Sequence, residues 1–348
     1  MRYIKLHENE KVPVFKNVIY ALRLVCKADK RLLISYLISY IFDDIFVRYI
    51  QSILFLKVLL SLFDRGAEFR EYVRDLLLFF AIAAATKIIS WVAAYIRQVA
   101  TKNVLKVLNN MVFQKAISLD VGCYESPEFY DKYQRATLIM SAGYFDIICY
   151  DVALVVSGIV SLMLVIGTIT AISPVYLLFL LPIALVFVIE IFKSKAVYKR
   201  DLEMTGNNRT KAYIQRTVFL KDFSKDMRTS NIFSVMMRRF EAAVAANVKI
   251  LKSYGVKLFL YSIVSSLFSE FIPIIGTYAY AGYKFVKGGS MTVSGFSVVV
   301  SSISTVREAT LDIAEAFDEM TQMALYFQNL KDFFDFEPSI KDGNIQAA

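Results

Sequence analysis

The feature that most constrains this chain is an uncharged run of 38 residues, Val152 to Ile189, broken once by Ser173-Pro174. A helix rises about 1.5 Å per residue and needs about 20 residues to cross the hydrocarbon of a bilayer. The run is too long for one crossing and the right length for two. Pro174 cannot continue a helix behind it and disfavours helical backbone at Ser173. The pattern therefore predicts two spans, 147–172 and 175–192, joined by a tight hairpin. No soluble core accounts for such a run: the chain is 57% hydrophobic, where soluble domains lie near 45–50%.

Four further spans follow from the same reasoning, at 32–62, 76–98, 256–285 and 290–307, giving an all-α membrane protein of six long transmembrane helices. The first is the least orthodox, because it carries Asp43, Asp44, Arg48 and Lys57. Its apolar stretch begins at Leu32 and is too long for the h-region of a signal peptide. The fifth is uncharged on either side of Glu270, and the sixth follows a turn at Gly288-Gly289, with 19 uncharged residues from Gly288 to Val306.

Lysine and arginine placement orients these spans. Residues 1–31 carry eight of them and 63–75 three, the latter offset by Asp64, Glu68, Glu71 and Asp75. Residues 97–135 carry six, and 193–257 carry fifteen against five acids. Basic and poor segments alternate, so the basic ones face the cytoplasm and both termini are expected there. The 193–257 excess accounts for the net charge of +9, which reads as topology and not as nucleic-acid binding. Cys26, Cys123, Cys149 and His7 show no metal-ligand spacing and no disulfide framework, so no metal is expected. The absence of H-E-x-x-H, of G-x-S-x-G and of paired aspartates suited to a membrane protease argues against a membrane enzyme.

The links are lopsided. Outer ones are short, whereas the inner ones, about 99–146 and 193–255, are long, polar and helical in pattern. In Thr101–Ala116 the apolar positions Val104, Leu105, Leu108, Val112 and Phe113 recur at helix spacing, as do Phe233, Met236, Met237, Phe240, Val244 and Val248 in Phe233–Leu251. Spans continuing as helices far past the bilayer explain both, and Ala309–Phe336 predicts a third such extension. Ordering long helical hairpins is costly unless something docks on their tips. The first tip holds Ser126-Pro127 with Glu128, a good helix start. The second, Tyr213–Phe223, is a similar aromatic and basic element.

Here the chain resembles the transmembrane domain of an ATP-binding-cassette (ABC) exporter of the type IV, B-family-like class. The resemblance rests on Glu125-Ser-Pro-Glu-Phe-Tyr-Asp-Lys-Tyr-Gln-Arg-Ala136, on Lys225-Asp-Met-Arg228 with Arg238-Arg239-Phe240, on Gly288-Gly-Ser-Met-Thr-Val-Ser-Gly295, and on Asn329-Leu-Lys-Asp-Phe-Phe-Asp-Phe-Glu-Pro338. It covers roughly residues 15–342. It implies an amphipathic cytoplasmic segment over 1–31, a six-helix domain over 32–337, and a linker stub over 338–348. It also implies two coupling helices that contact an ATPase domain, through Ser126, Glu128, Phe129, Tyr130 and Tyr133 at one tip and Tyr213, Arg216, Phe219, Leu220 and Asp222 at the other. Two such chains, identical or related, would form one pathway as a domain-swapped dimer in the plasma membrane, expected to be bacterial. The sequence contains neither a G-x-x-x-x-G-K-[ST] phosphate loop nor an LSGGQ-type signature. ATP and Mg are therefore expected on an associated nucleotide-binding domain, either continuing past Ala348 or on a separate chain.

Charges at membrane depth are costly and mark function by default. The candidates are Asp43, Asp44, Arg48, Glu270, Arg307 and Glu308, lining a cavity for a peptide or amphipathic substrate or pairing with one another between helices. Asp44 and Arg48 are four residues apart and can pair along one helix face. Sequence neighbours offer Glu270 no cation. A secondary transporter, or a membrane scaffold or receptor, remains an alternative; the former would show matching Gly/Pro-broken halves.

Overall fold

The computed structural model describes residues 13–66, 68–119, 142–288 and 292–336, with positions 123, 133, 136, 137, 139 and 140. The described chain is helical and contains no strand among the described residues. Five helices are long and apolar enough to cross a membrane: Arg31–Leu62, Phe69–Ile117, Tyr144–Ile172, Pro174–Phe219 and Ile232–Lys287. The expected sixth span lies in a helix, Val293–Phe334, that does not belong to this set. Its uncharged part ends at Val306, so 14 residues counted from Val293 give about 21 Å, short of the roughly 30 Å hydrocarbon.

The chain divides into two units. The first comprises residues 1–178 and 277–348. It opens with α1 (Val14–Asp29), an amphipathic helix burying Asn17, Val18, Ala21, Leu24 and Val25 at helical spacing. The Asp29 carboxylate accepts from the backbone N–H of Arg31 at 3.0 Å, tying the end of α1 to the start of α2 (Arg31–Asp44). A π-helical segment, Ile45–Phe55, then leads into α3 (Leu56–Arg65). Ser52 Oγ donates to the Val47 carbonyl five residues back, at 2.8 Å, as a widened turn allows.

Helix α4 (Phe69–Ile117) is 49 residues long, about 73 Å, more than twice the hydrocarbon thickness. Helix α5 (Tyr144–Ile172) starts after Gly143, whose φ of 72° suits glycine, and stops at Ser173 in extended conformation. Pro174–Leu180 follows as a 3-10 turn, so the break in the 38-residue run falls where the proline demands it.

The principal core of this unit does not lie in the apolar runs. It gathers α1, the second half of α4 (Ala100, Val104, Leu108, Val112, Ala116), the start of α5 (Phe145, Ile148, Cys149), and the end of the last helix (Met320, Phe327, Leu330, Phe333). Asn17 Nδ2 donates to the Ala324 carbonyl and to Gln328 Oε1, both at 3.0 Å, locking α1 onto that last helix. Tyr20 is half-buried beside Asp335, and burial first, then that carboxylate, raises its phenol above the usual range. By contrast, the most apolar windows of the five long helices are only 11–33% buried within the chain. Their outward side chains, such as Leu77, Trp91, Leu181 and Phe259, suit contact with lipid.

The second unit spans residues 179–276. Helix α6 (Leu181–Phe219) carries Pro182 in its first turn, where no N–H is missed. A 3-10 turn (Lys221–Phe223) and a short helix α7 (Ser224–Thr229) precede α8 (Ile232–Ser266). Helices α6 and α8 pack on each other through a partly buried amide ladder: Asn207 Nδ2 donates to Asn247 Oδ1, and Asn247 Nδ2 donates to Asn208 Oδ1, both at 2.9 Å. The expected apolar stripe of α8 faces elsewhere, since Phe233, Val244 and Val248 are exposed while Ala243 and Asn247 are buried. Small and amide side chains let the helices approach; larger ones sit outside. A π turn, Leu267–Phe271, leads into α9 (Ile272–Gly288). Pro273 cannot donate to the preceding turn, which accounts for the widened ladder there. Helix α10 (Val293–Phe334) returns to the first unit, with Thr292 Oγ1 accepting from the Gly295 N–H at 3.1 Å as its N-cap.

Candidate functional site

The densest polar cluster sits where α5, α10 and the π-helical segment Ile45–Phe55 meet. Arg48 Nε lies 3.3 Å from Asp44 Oδ1 one turn earlier, and its Nη2 binds Asp312 of α10. Ser157 of α5 donates to the other Asp44 oxygen at 2.6 Å. One guanidinium thus ties three segments together. The side chains of Arg48 and Asp44 are 14% and 13% exposed, so the pair is largely withdrawn from water. Arg48 Nη1 is buried without a hydrogen-bond partner among the described residues. Glu308 adds a further carboxylate to the field at Arg48. Asp43 is held apart, 2.8 Å from Lys87 Nζ of α4 in a more exposed pair.

Beside this cluster, the seam between α5 and α10 encloses a cavity of about 140 Å³. Tyr150, Asp151 and Leu154 of α5 line one wall; Asp312, Glu315, Ala316 and Glu319 of α10 line the other. The helices come together because Gly158 has no side chain: a Cβ there would meet Ile313 Cγ1 at 3.0 Å. Asp151 is fully buried, and neither of its oxygens receives a hydrogen bond from an amide, hydroxyl or basic group among the described residues; its hydrogen-bonding neighbour is the Glu319 carboxyl across the seam. Sequence reading missed Asp151 and these glutamates. The signal was present, since acids at 312, 315 and 319 repeat at the spacing of one helix face.

A second set of polar contacts joins α2, α4 and α5. Asp146 accepts from Thr101 Oγ1 at 2.7 Å and lies 3.5 Å from the Tyr36 hydroxyl. The Arg97 guanidinium stands 4.6 Å from the centre of the Tyr36 ring, a cation–π distance. Tyr40 packs edge-on against Tyr150 with centroids 5.0 Å apart, so this aromatic group reaches the rim of the cavity.

The remaining candidates are distributed. Arg307 and Glu308 lie on α10 just before Ala309. Glu270 belongs to the π turn of the second unit and is partly buried; within the first unit the structure brings together Asp44, Arg48 and the neighbouring Glu308. In the second unit Glu190 accepts from Lys193 Nζ at 3.0 Å and from Ser265 Oγ at 2.8 Å.

Of the first tip, Ser126, Glu128, Phe129 and Tyr130 lie outside the described residues. Tyr133 is partly buried, its ring 5.7 Å from that of Phe333 at the end of α10. The second tip differs from expectation. Tyr213, Arg216 and Phe219 are not in a separate element but in the last turns of α6, because nothing in 213–219 breaks a helix. The chain turns at Leu220, whose backbone is extended. The short separate elements are Lys221–Phe223, which includes Asp222, and α7. Phe219 is 90% exposed at this corner. No protein-family model and no curated protein matches this chain.

Proposed function

We propose that this chain is the membrane-spanning half of an ATP-driven exporter of the ABC type IV class. One observation carries the reading: Phe69–Ile117, Pro174–Phe219 and Ile232–Lys287, at 49, 46 and 56 residues, far exceed a bilayer. A membrane bundle has no use for such overruns unless they transmit force to something outside the lipid. The α6–α8 pair ends in the short α7, the place for a coupling helix. The partition supports the same reading, since the fourth and fifth apolar helices form most of a unit of their own, as a domain-swapped dimer requires.

In this mechanism the chain pairs with a second transmembrane domain, identical or related, and each cytoplasmic tip seats on an ATP-binding-cassette domain that holds ATP and Mg. ATP binding closes the ATPase pair and drives the helices from inward- to outward-facing; hydrolysis resets them. The last helix, α10, serves as the sixth span. The Asp44–Arg48–Asp312 cluster lines the inner part of the pathway, and the cargo is a peptide or amphipathic compound. Both termini are cytoplasmic in a bacterial plasma membrane.

Single cysteines at Asp222 and Lys225, paired with cysteines on the groove of an ATP-binding-cassette domain encoded with this chain, test the reading. Crosslinks that change yield between ATP and vanadate-trapped states are expected. Absence of crosslinks in every nucleotide state would remove the coupling role.

A further inference from the structure

We propose that the cavity between α5 and α10 is a binding site for an organic cation bearing an ammonium or guanidinium head group. Three carboxylates converge there without a counter-ion: among the described residues no lysine or arginine forms an ion pair with Asp151, Glu315 or Glu319. Arg48 of the neighbouring cluster is engaged by Asp44 and Asp312. Acids on one helix face are common and often only solvated. Asp151 is different, because it lines the cavity from the opposite helix, is 0% exposed, and has the Glu319 carboxyl, not a basic group, as its hydrogen-bonding neighbour. Two acids facing each other in a buried seam are strongly unfavourable as anions until something supplies positive charge or further hydrogen bonds.

The chemistry of the occupant follows from the walls. Among the described residues no group of three or more His, Cys, Asp and Glu has the geometry for a metal ion, so the carboxylates are spread for a larger, multi-donor cation. A guanidinium offers five N–H donors and an ammonium three, which suits acids arriving from two sides. Leu154 and Ala316 supply apolar wall for a short alkyl stem, and the Tyr150 ring supplies a face for cation–π contact. A volume of about 140 Å³ equals that of about four or five liquid waters, enough for a head group and a few carbons. The source is either a free small cation or a basic side chain of a peptide. The inference is independent of the transport reading, because occupancy is a property of this chain alone.

The test is calorimetric titration of the purified full chain in micelles, with agmatine and propylammonium as free cations and Gly-Arg-Gly as the peptide source. N-methylurea is the neutral control and Mg²⁺ the metal control. Saturable binding of at least one organic cation is expected, weakened tenfold or more in Asp151→Asn and Glu319→Gln and unchanged in Asp318→Asn, which changes an acid of α10 that does not line the cavity. Which probe binds assigns the source. Thermal unfolding guards against misfolded variants: the bound cation should raise the midpoint of the native chain but not of Asp151→Asn, and Asp151→Asn without ligand should be no less stable than the native chain. The proposal is overturned if no organic cation binds, if Asp151→Asn binds as well as the native chain, if only Mg²⁺ binds, or if Asp151→Asn unfolds at a lower midpoint.

Discussion

Removing the positive charge at Arg48 is the most informative perturbation of this molecule. Arg48→Met keeps the length of the stem and deletes the guanidinium, leaving Asp44, 13% exposed, and Asp312, 34% exposed, without their shared partner. Breaking a buried pair by deleting one member costs about 3–5 kcal/mol, most of it from the charge left behind. Two features place this case at the lower end, about 3 kcal/mol or less: Asp312 is partly solvated, which screens it, and Asp44 keeps the hydrogen bond from Ser157. At roughly 2–4 °C per kcal/mol for a unit of this size, the midpoint should fall by up to about 6–12 °C. The assay is reversible unfolding in micelles, read by tryptophan and tyrosine fluorescence, in a double-mutant cycle with Asp44→Asn. Neutralising Asp44 as well removes the stranded charge, so the double variant should recover much of the loss, with a coupling of about 1–3 kcal/mol. Strict additivity of the two single losses would refute the argument, since it would mean that the two side chains do not interact.

Two further outcomes follow from packing. Gly158→Val should destabilise the α5–α10 seam by about 1–3 kcal/mol through overpacking, because a Cβ at 158 already meets Ile313 at 3.0 Å; Gly158→Val with Ile313→Ala should regain most of it, and a neutral single variant would contradict the close approach. In the second unit, Asn247→Leu removes both rungs of the ladder to Asn207 and Asn208 and should cost about 1–3 kcal/mol. Proteolysis of the α6–α8 pair should accelerate accordingly, and an unchanged cleavage rate would show that the ladder does not hold the pair.

How much of this was legible in advance depends on the range of the interactions. The helix break at Ser173-Pro174 was readable because proline acts on its own backbone. The Asp44–Arg48 pair was readable because four residues make one helical turn. Its other partners were not: Asp312 and Ser157 lie 264 and 113 residues away from the groups that they bind, and nothing local announces them. The tip at Tyr213–Asp222 was misjudged by most of its length because aromatic and basic composition does not say where a helix ends; the turn at Leu220 does. The helix spacing of Phe233–Leu251 was readable, but periodicity does not say what a face touches: Met236, Met237 and Phe240 are partly buried, Phe233, Val244 and Val248 are exposed, and Asn247 makes the amide contacts to Asn207 and Asn208.

The uncharged run from Val152 to Ile189 decided, before any contact was known, that the chain has the apolar helices of a membrane protein and that its run is broken at Pro174. Hydrocarbon accepts only backbone that satisfies its own hydrogen bonds, and this demand is local, so composition and one proline suffice to meet it. What surrounds the run was decided only by tertiary packing. Helix α5 places Asp151 and Gly158 against α10, and burial of one acid against another depends on residues from both helices at once. The core likewise formed from Val104, Leu108, Phe327 and Phe333, in the segments of lower hydropathy, because water outside the lipid makes apolar burial favourable there while lipid gives no such incentive within the membrane.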